Sequence, residues 1–363
     1  MNRRWLRLFA VLMGLALFAA ACGDDDDTDT GSGDGGSDTT AASDDGGDGG
    51  DLPGEGIRVG LVYDVGGRGD QSFNDAAYAG LTQAQDELGV QIQDLEPSGG
   101  GEDREELLRT LAEDGYDMII GVGFAFADSM AAVTADFPDV HFAIVDDSSV
   151  EADNLTSLVF AEHEGSFLVG AAAALTSQTG KLGYIGGVET DLIRKFEAGF
   201  VAGAKEVNPD VEVDVKYITQ PPDFSGFNDP GTAKEIALGQ FGAGADVIYH
   251  AAGGSGGGLF EAAAETGDVW AIGVDSDQYN TADPSVRDVI LTSMLKKVDV
   301  AVFGAIEAFV NGTLEAGVQE FDLTNDGVGF STTGGFLTQE IIDQLEELKQ
   351  RIIDGEIEVP SAP

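Results

Sequence analysis

The chain has 363 residues, enough for two domains of ordinary size rather than one core. Its 18 lysines and arginines stand against 66 acidic residues, a formal charge of −48 that repels phosphate backbones and anionic surfaces and argues against nucleic-acid binding. A single cysteine, Cys22, excludes any disulfide within the chain.

The first element is a targeting segment. Arg3, Arg4 and Arg7 give a positive start, and "LFAVLMGLALFAAAC" supplies an apolar stretch too short to span a bilayer comfortably. It ends in small residues, and "FAAAC" resembles the lipobox of bacterial lipoproteins, in which the cysteine becomes lipid-modified. Residues 1–22 are therefore expected to be a lipoprotein signal peptide with Cys22 as the lipidation site. Residues 23–56 contain almost no apolar side chain and cannot bury enough surface to offset their ordering entropy. They are expected to form a disordered acidic tether with a random-coil span of roughly 30 Å. The aspartate run lacks the fixed glycine and terminal glutamate of a calcium loop. From Ile57 on, 54 carboxylates remain against 15 Lys and Arg, an acidic surface suited to a saline exterior.

The body repeats itself. "IRVGLVYDVGG" and "KLGYIGG" are first strands of one kind. "GYDMIIGVGF" and "GADVIYHAAG" are each a Gly-x-Asp turn entering a buried apolar run. Each is followed by a helical pattern, "FADSMAAVTADF" or "GLFEAAAETG", and then by a strand, "HFAIVDDS" or "WAIGVDSD". Asp117 to Asp146 and Asp246 to Asp275 are the same 29-residue interval. Strand–helix–strand repeats of this size predict two α/β halves, each a parallel sheet covered by helices. The strands end in Gly, Asp or Asn, and open parallel sheets bind ligands beyond their carboxyl ends. Two such halves predict a cleft lined by loops from both.

Several chemistries lack their residues. "GVGFAF" and "GGSGGGLF" do not place three glycines at dinucleotide-binding spacing, and no phosphate-binding Gly-Lys-Ser/Thr occurs. His141, His163 and His250 lie far apart without zinc-ligand spacing. His141 opens a strand and His250 sits inside one, which suits structural roles. No Gly-x-Ser-x-Gly elbow is present, and Arg68-Gly69-Asp70 reads as a coincidental tripeptide. The expectation is a protein with no catalytic residues, no metal and no cofactor.

Six segments in order, "GDQSFNDAAYAGL", "GVGFAFADS", "RKFEAGFVAGA", "GADVIYHAAGG", "WAIGVDSDQ" and "LTSMLKKVDVAV", together resemble the basic membrane lipoprotein family, whose members include purine nucleoside receptors. The resemblance spans about Arg58 to Gly312. It implies a type I periplasmic-binding-protein fold: two Rossmann-like lobes joined by three crossover hinge segments, closing on a ligand without covalent chemistry. The lobes would comprise 57–160 plus 293–318 and 161–292 plus 319–350, leaving 351–363 as a tail. The crossings would fall near "LVFAEHEGSF", near "LTSMLKK" and around Gly317 to Asp322.

The implied ligand is a nucleoside, most readily a purine, passed to an ABC permease by a monomer held outside the cytoplasm on its lipid anchor. A sugar or signalling molecule is the alternative ligand, and a secreted nucleoside-cleaving enzyme the alternative class. A purine is flat, apolar on its faces and polar at its edges, so it suits aromatic stacking with convergent polar groups. Phe73 from the first half and Phe196 from the second would cover its faces, with Phe200 the core partner of Phe196; plain core packing is the other account of both rings. Asn74 with Asp64 or Asp128 would meet the base edge, although Asn74 could instead cap a helix and Asp128 could simply face solvent. Asp275 would take sugar hydroxyls, Gly253 and Gly254 would let backbone amides approach, and Lys296 would donate to hydroxyls. The family pattern puts that lysine two residues before Val298-Asp299, which favours Lys296 over Lys297; a hinge salt bridge is its alternative role.

Overall fold

The structure, a computed structural model, describes residues 52–363. The expected signal segment, Cys22 and the tether up to residue 51 lie outside the described residues. Residues 52–56 depart from the expected tether. They form a turn whose Gly54 N–H donates to the Leu88 carbonyl (2.7 Å), and Gly54 is packed so closely on Val90 that a Cβ there would lie 2.6 Å from its side chain. The folded body therefore begins before Ile57.

The first lobe opens with β1 (Arg58–Val62), α1 (Phe73–Leu88), β2 (Gln91–Leu95), α2 (Arg104–Glu113), β3 (Met118–Gly121), α3 (Ala127–Asp136), β4 (His141–Val145) and β5 (Leu155–Phe160). The second holds α4 (Glu162–Thr176), β6 (Lys181–Val188), α5 (Asp191–Val207), β7 (Glu212–Thr219), α6 (Pro230–Gly242), β8 (Val247–Ala251), α7 (Gly256–Thr266), β9 (Trp270–Asp275), α8 (Gln278–Thr281) and β10 (Ile290–Lys296). The chain returns to the first lobe as α9 (Val298–Val310), packed on α1, and β11 (Gly317–Phe321). It ends in the second with β12 (Val328–Phe330) and α10 (Gln339–Ile353). The two six-stranded sheets run β11-β5-β4-β3-β1-β2 and β12-β10-β9-β8-β6-β7. All pairings are parallel except β10–β12, an antiparallel edge.

Local sequence explains the main elements. β3 and β8 are buried at every position, as continuous apolar runs in a sheet covered on both faces require. Thr190 and Thr338 cap α5 and α10 by accepting the Ile193 and Ile341 N–H groups, and Asp229 caps α6 ahead of Pro230 at its first turn. Each such cap contributes about 1 kcal/mol. α4 and α5 approach so closely that a Cβ on Gly199 or Gly203 would run into the carbonyl oxygens of His163 or Phe167. Only glycine permits that approach.

The chain crosses between lobes at Ala161, at Lys297 and through residues 322–327. These segments are tied together: the Ala161 N–H donates to the Phe321 carbonyl (2.9 Å), and the Lys297 N–H to the Gly327 carbonyl (2.9 Å). Phe160 and Phe321 stack with centroids 5.1 Å apart. Two expected boundaries are displaced. The change of lobe placed at 292/293 falls inside β10, which pairs wholly within the second sheet, and that placed at 318/319 falls inside β11, which belongs to the first. Apolar patterning marks a strand but not its partner, so the sequence could not locate the crossing within it. α10 continues to Ile353 and Val359 is buried, so the expected tail begins as folded chain.

Candidate functional site

The carboxyl ends of β1, β3 and β4 face those of β8, β9 and β10 across a cleft with about 560 Å3 of unoccupied space, the part open to solvent included. Eight of the nine ligand residues expected from sequence line it: Asp64, Phe73, Asn74, Phe196, Gly253, Gly254, Asp275 and Lys296. Asp128 does not. It lies exposed on α3 and is corrected to a surface residue, because the 3-10 turn at Phe124–Phe126 carries Phe124 into the cleft and leaves α3 pointing away.

The centre is a buried lysine in an acidic, aromatic shell. Lys296, at the end of β10, is 2% exposed, with its ammonium 2.5 Å from Asp146 Oδ2 and 3.6 Å from Glu162 Oε1. The rings of Phe73, Phe160 and Phe196 surround it at 4.9, 5.0 and 5.6 Å from Nζ to the centroids. Burial works to lower the lysine pKa, but Asp146, Glu162 and Asp275 together raise it, so the amine stays charged. Burial pushes the Asp146 carboxyl up to about 6 against the pull of Lys296, and raises Asp275 against Lys296 and a Ser72 hydrogen bond. Asp146 Oδ1 is buried without a partner. Asp146 and Asp275 are the corresponding closing residues of the two 29-residue intervals, and both adopt left-handed backbone (φ 69° and 62°). Asp146 thus pairs with the lysine from the opposite lobe, while Asp275 adds its charge from the lysine's own lobe.

The β1–α1 loop forms the other wall. Asp64 accepts from the buried Arg104 at 3.1 Å, while burial raises its pKa against that partner. Asn74 is 2% exposed with both amide ends engaged: Oδ1 accepts the Asp64 N–H (2.9 Å) and Nδ2 donates to Asp70 (3.1 Å). Capping falls to Asp70, whose carboxylate accepts the N–H groups of Ser72, Asn74 and Asp75. The aspartate of the Arg-Gly-Asp tripeptide is therefore used internally, and burial pushes its pKa up to about 6. Phe200 is fully buried against Tyr249 and Tyr184, the core partner its position beside Phe196 suggests. Gly253 has φ 52° in the tight turn after β8. Lys297 lies outside the lining.

Sequence reasoning did not assign Asp70, Phe124, Asp146 or Phe227 to the ligand site, yet all four line the cleft. The repeat was a signal for Asp146, since it pairs that residue with Asp275. Among the described residues no group of His, Cys, Asp or Glu is arranged to hold a metal ion, and no helix is long and apolar enough to cross a membrane.

Two lobes joined by three crossings, with a charged and aromatic cleft between them, define a solute-binding protein of the periplasmic-binding type. Residues 57–362 match the family described as Bmp, ABC transporter substrate-binding protein PnrA-like, and the chain belongs to that family. It is 37% identical over 339 residues to the CD4+ T-cell-stimulating antigen of Listeria innocua, covering 89% of this chain and 93% of that protein. It is 34% identical over 321 residues to the ABC transporter nucleoside-binding protein BmpA of Lactococcus lactis, covering 84% and 89%. A solved solute-binding protein of an ABC transporter system from Aeropyrum pernix superposes with a TM-score of 0.73 at 31% identity, covering 84% of this chain and 94% of that one.

Proposed function

We propose that the cleft captures a nucleoside, a purine nucleoside in particular, and delivers it to an ABC permease. The carrying observation is that Phe73 and Phe196, one ring from each lobe, both line the cleft beside Lys296, 4.9 and 5.6 Å from its Nζ. Rings from both lobes suit the two faces of a base, and closure is then favoured by contacts that exist only when the lobes meet. Asp275, Asp146 and the Lys296 ammonium offer acceptors and a donor to sugar hydroxyls. Asp64, steadied by Arg104, offers an acceptor to ring N–H groups. With the Asn74 amide tied to Asp64 and Asp70, its part in the site is to shape the loop. The relative from Lactococcus lactis is named as nucleoside-binding, which supports the same ligand class.

The protein acts by binding, without turnover, on a lipid anchor at Cys22. Inosine at a hundredfold excess over its dissociation constant raises the unfolding free energy of the full chain by about 2.7 kcal/mol. Phe73→Ala and Phe196→Ala each weaken binding by about 1–3 kcal/mol. A melting point moved by sugars and not by nucleosides assigns the cleft to a sugar, and release of free base from inosine identifies an enzyme. Either result overturns the proposal.

A further inference from the structure

Beside the cleft, the tip of the β1–α1 loop makes a second set of contacts with the opposite lobe. The Gln71 carbonyl accepts from Gln278 Nε2 (3.2 Å) and from Thr281 Oγ1 (3.1 Å). The neighbouring Ser72 hydroxyl donates to Asp275 Oδ2 (2.6 Å), and its carbonyl accepts from Ser276 Oγ (3.0 Å). Gln71 has φ 57°, a left-handed conformation that is rare for a glutamine and directs its carbonyl at the second lobe. The Asp70 carboxylate holds the tip from the first-lobe side, through the N–H groups of Ser72, Asn74 and Asp75.

On the second-lobe side the donor is set in advance. Gln278 is 1% exposed, and its Oε1 accepts both the Val274 N–H (2.8 Å) and His250 Nε2 (2.9 Å). Two donors on one oxygen fix the amide orientation and require the hydrogen of His250 on Nε2. The Gln278 N–H is itself held by Ser293 Oγ (3.1 Å). Gly256 leaves room for the imidazole, since a Cβ there would run into the ring. The amide nitrogen of Gln278 is thus aimed at the first lobe by groups that belong wholly to the second.

We propose that Gln278, oriented by His250, is an interlobe latch that governs how long a ligand is held, although its own side chain does not line the cleft. Opening the lobes gives the Gln71 carbonyl and the Gln278 amide to water, and closing returns them to one another. The same motion brings Ser72 to Asp275, so that a cleft carboxylate is oriented only in the closed form. The latch rests on the reading of the protein as one that closes on its ligand; its first test needs no ligand.

The test is hydrogen–deuterium exchange on the ligand-free full chain and on Gln278→Glu, which keeps the acceptor for Val274 and His250 but removes the donor to Gln71. Faster exchange is expected in residues 70–76, with β8 and β9 unchanged. Thr281→Val combined with Ser276→Ala removes two further latch donors at less buried positions and is expected to act in the same direction. With inosine as probe, both variants release it about fivefold faster, the equivalent of one net hydrogen bond, while association changes by less than about twofold. Unchanged exchange at 70–76 in the double variant overturns the latch, whatever Gln278→Glu does to the second lobe. Absence of inosine binding to the parent chain overturns the nucleoside reading and leaves the exchange result to decide the latch.

Discussion

Replacing Lys296 with methionine removes one charge from the most densely charged buried point of the protein. The stem length and apolar volume are nearly kept, so the effect is electrostatic. Nζ lies 2.5 Å from Asp146 and 3.6 Å from Glu162, and the three side chains are 2%, 5% and 1% exposed. Removing one member of a buried ion pair leaves the others uncompensated and costs about 3–5 kcal/mol. Since a folded domain is stable by only about 5–15 kcal/mol, such a loss is readily measured.

The loss should depend on pH, with a definite sign. Burial already raises Asp146 to about 6, above its ordinary value of 3.8, and loss of the lysine raises it further. A carboxyl whose folded pKa is raised contributes stability that is fully present below the unfolded value and lost as pH rises through the folded one. The deficit of Lys296→Met is therefore greatest near pH 7.5 and shrinks towards pH 5, where Asp146 takes up a proton. Urea unfolding of both chains at the two pH values measures it, and a cycle with Asp146→Asn isolates the pair, with an expected coupling of at least about 1 kcal/mol. A deficit below about 1 kcal/mol at pH 7.5, or one equal at both pH values, would refute the reasoning.

Two further changes test other parts of the fold. Gly203→Ala gains helix propensity of about 1 kcal/mol, yet its Cβ meets the Phe167 carbonyl oxygen on α4, and backbone cannot yield as a side chain can. Overpacking of about 1–3 kcal/mol or more should prevail, and a raised melting point in this variant would contradict the close α4–α5 approach. Burial holds the His250 pKa down to about 4, with the Gln278 hydrogen bond opposing. A histidine lowered in the fold contributes stability that is present above the unfolded value near 6.5 and lost as pH falls towards 4, here about 3 kcal/mol at most. The stability difference between the parent chain and His250→Asn should narrow over that window; a constant difference counts against a neutral, buried imidazole.

The sequence by itself determined the repeat, the order of strands and helices within each half, and the strand ends from which the cleft is built. These are local properties: a buried parallel strand must be an apolar run, and the residue that ends it is adjacent in the chain. Hence Asp64, Phe73, Asp275 and Lys296 were legible, and the 29-residue interval already matched Asp146 with Asp275. What each residue does there was decided by the tertiary structure. Asn74 has the right chemistry for a base edge, but Asp64 and Asp70 occupy its amide. Asp128 has the right charge, but the turn before α3 leaves it outside. Lys296 meets Asp146 across 150 residues of chain, and Gln278 meets Gln71 across 207. Patterning over a few residues carries period and burial; it carries no record of which distant group will satisfy a buried charge, because that pairing exists only once the two sheets face each other.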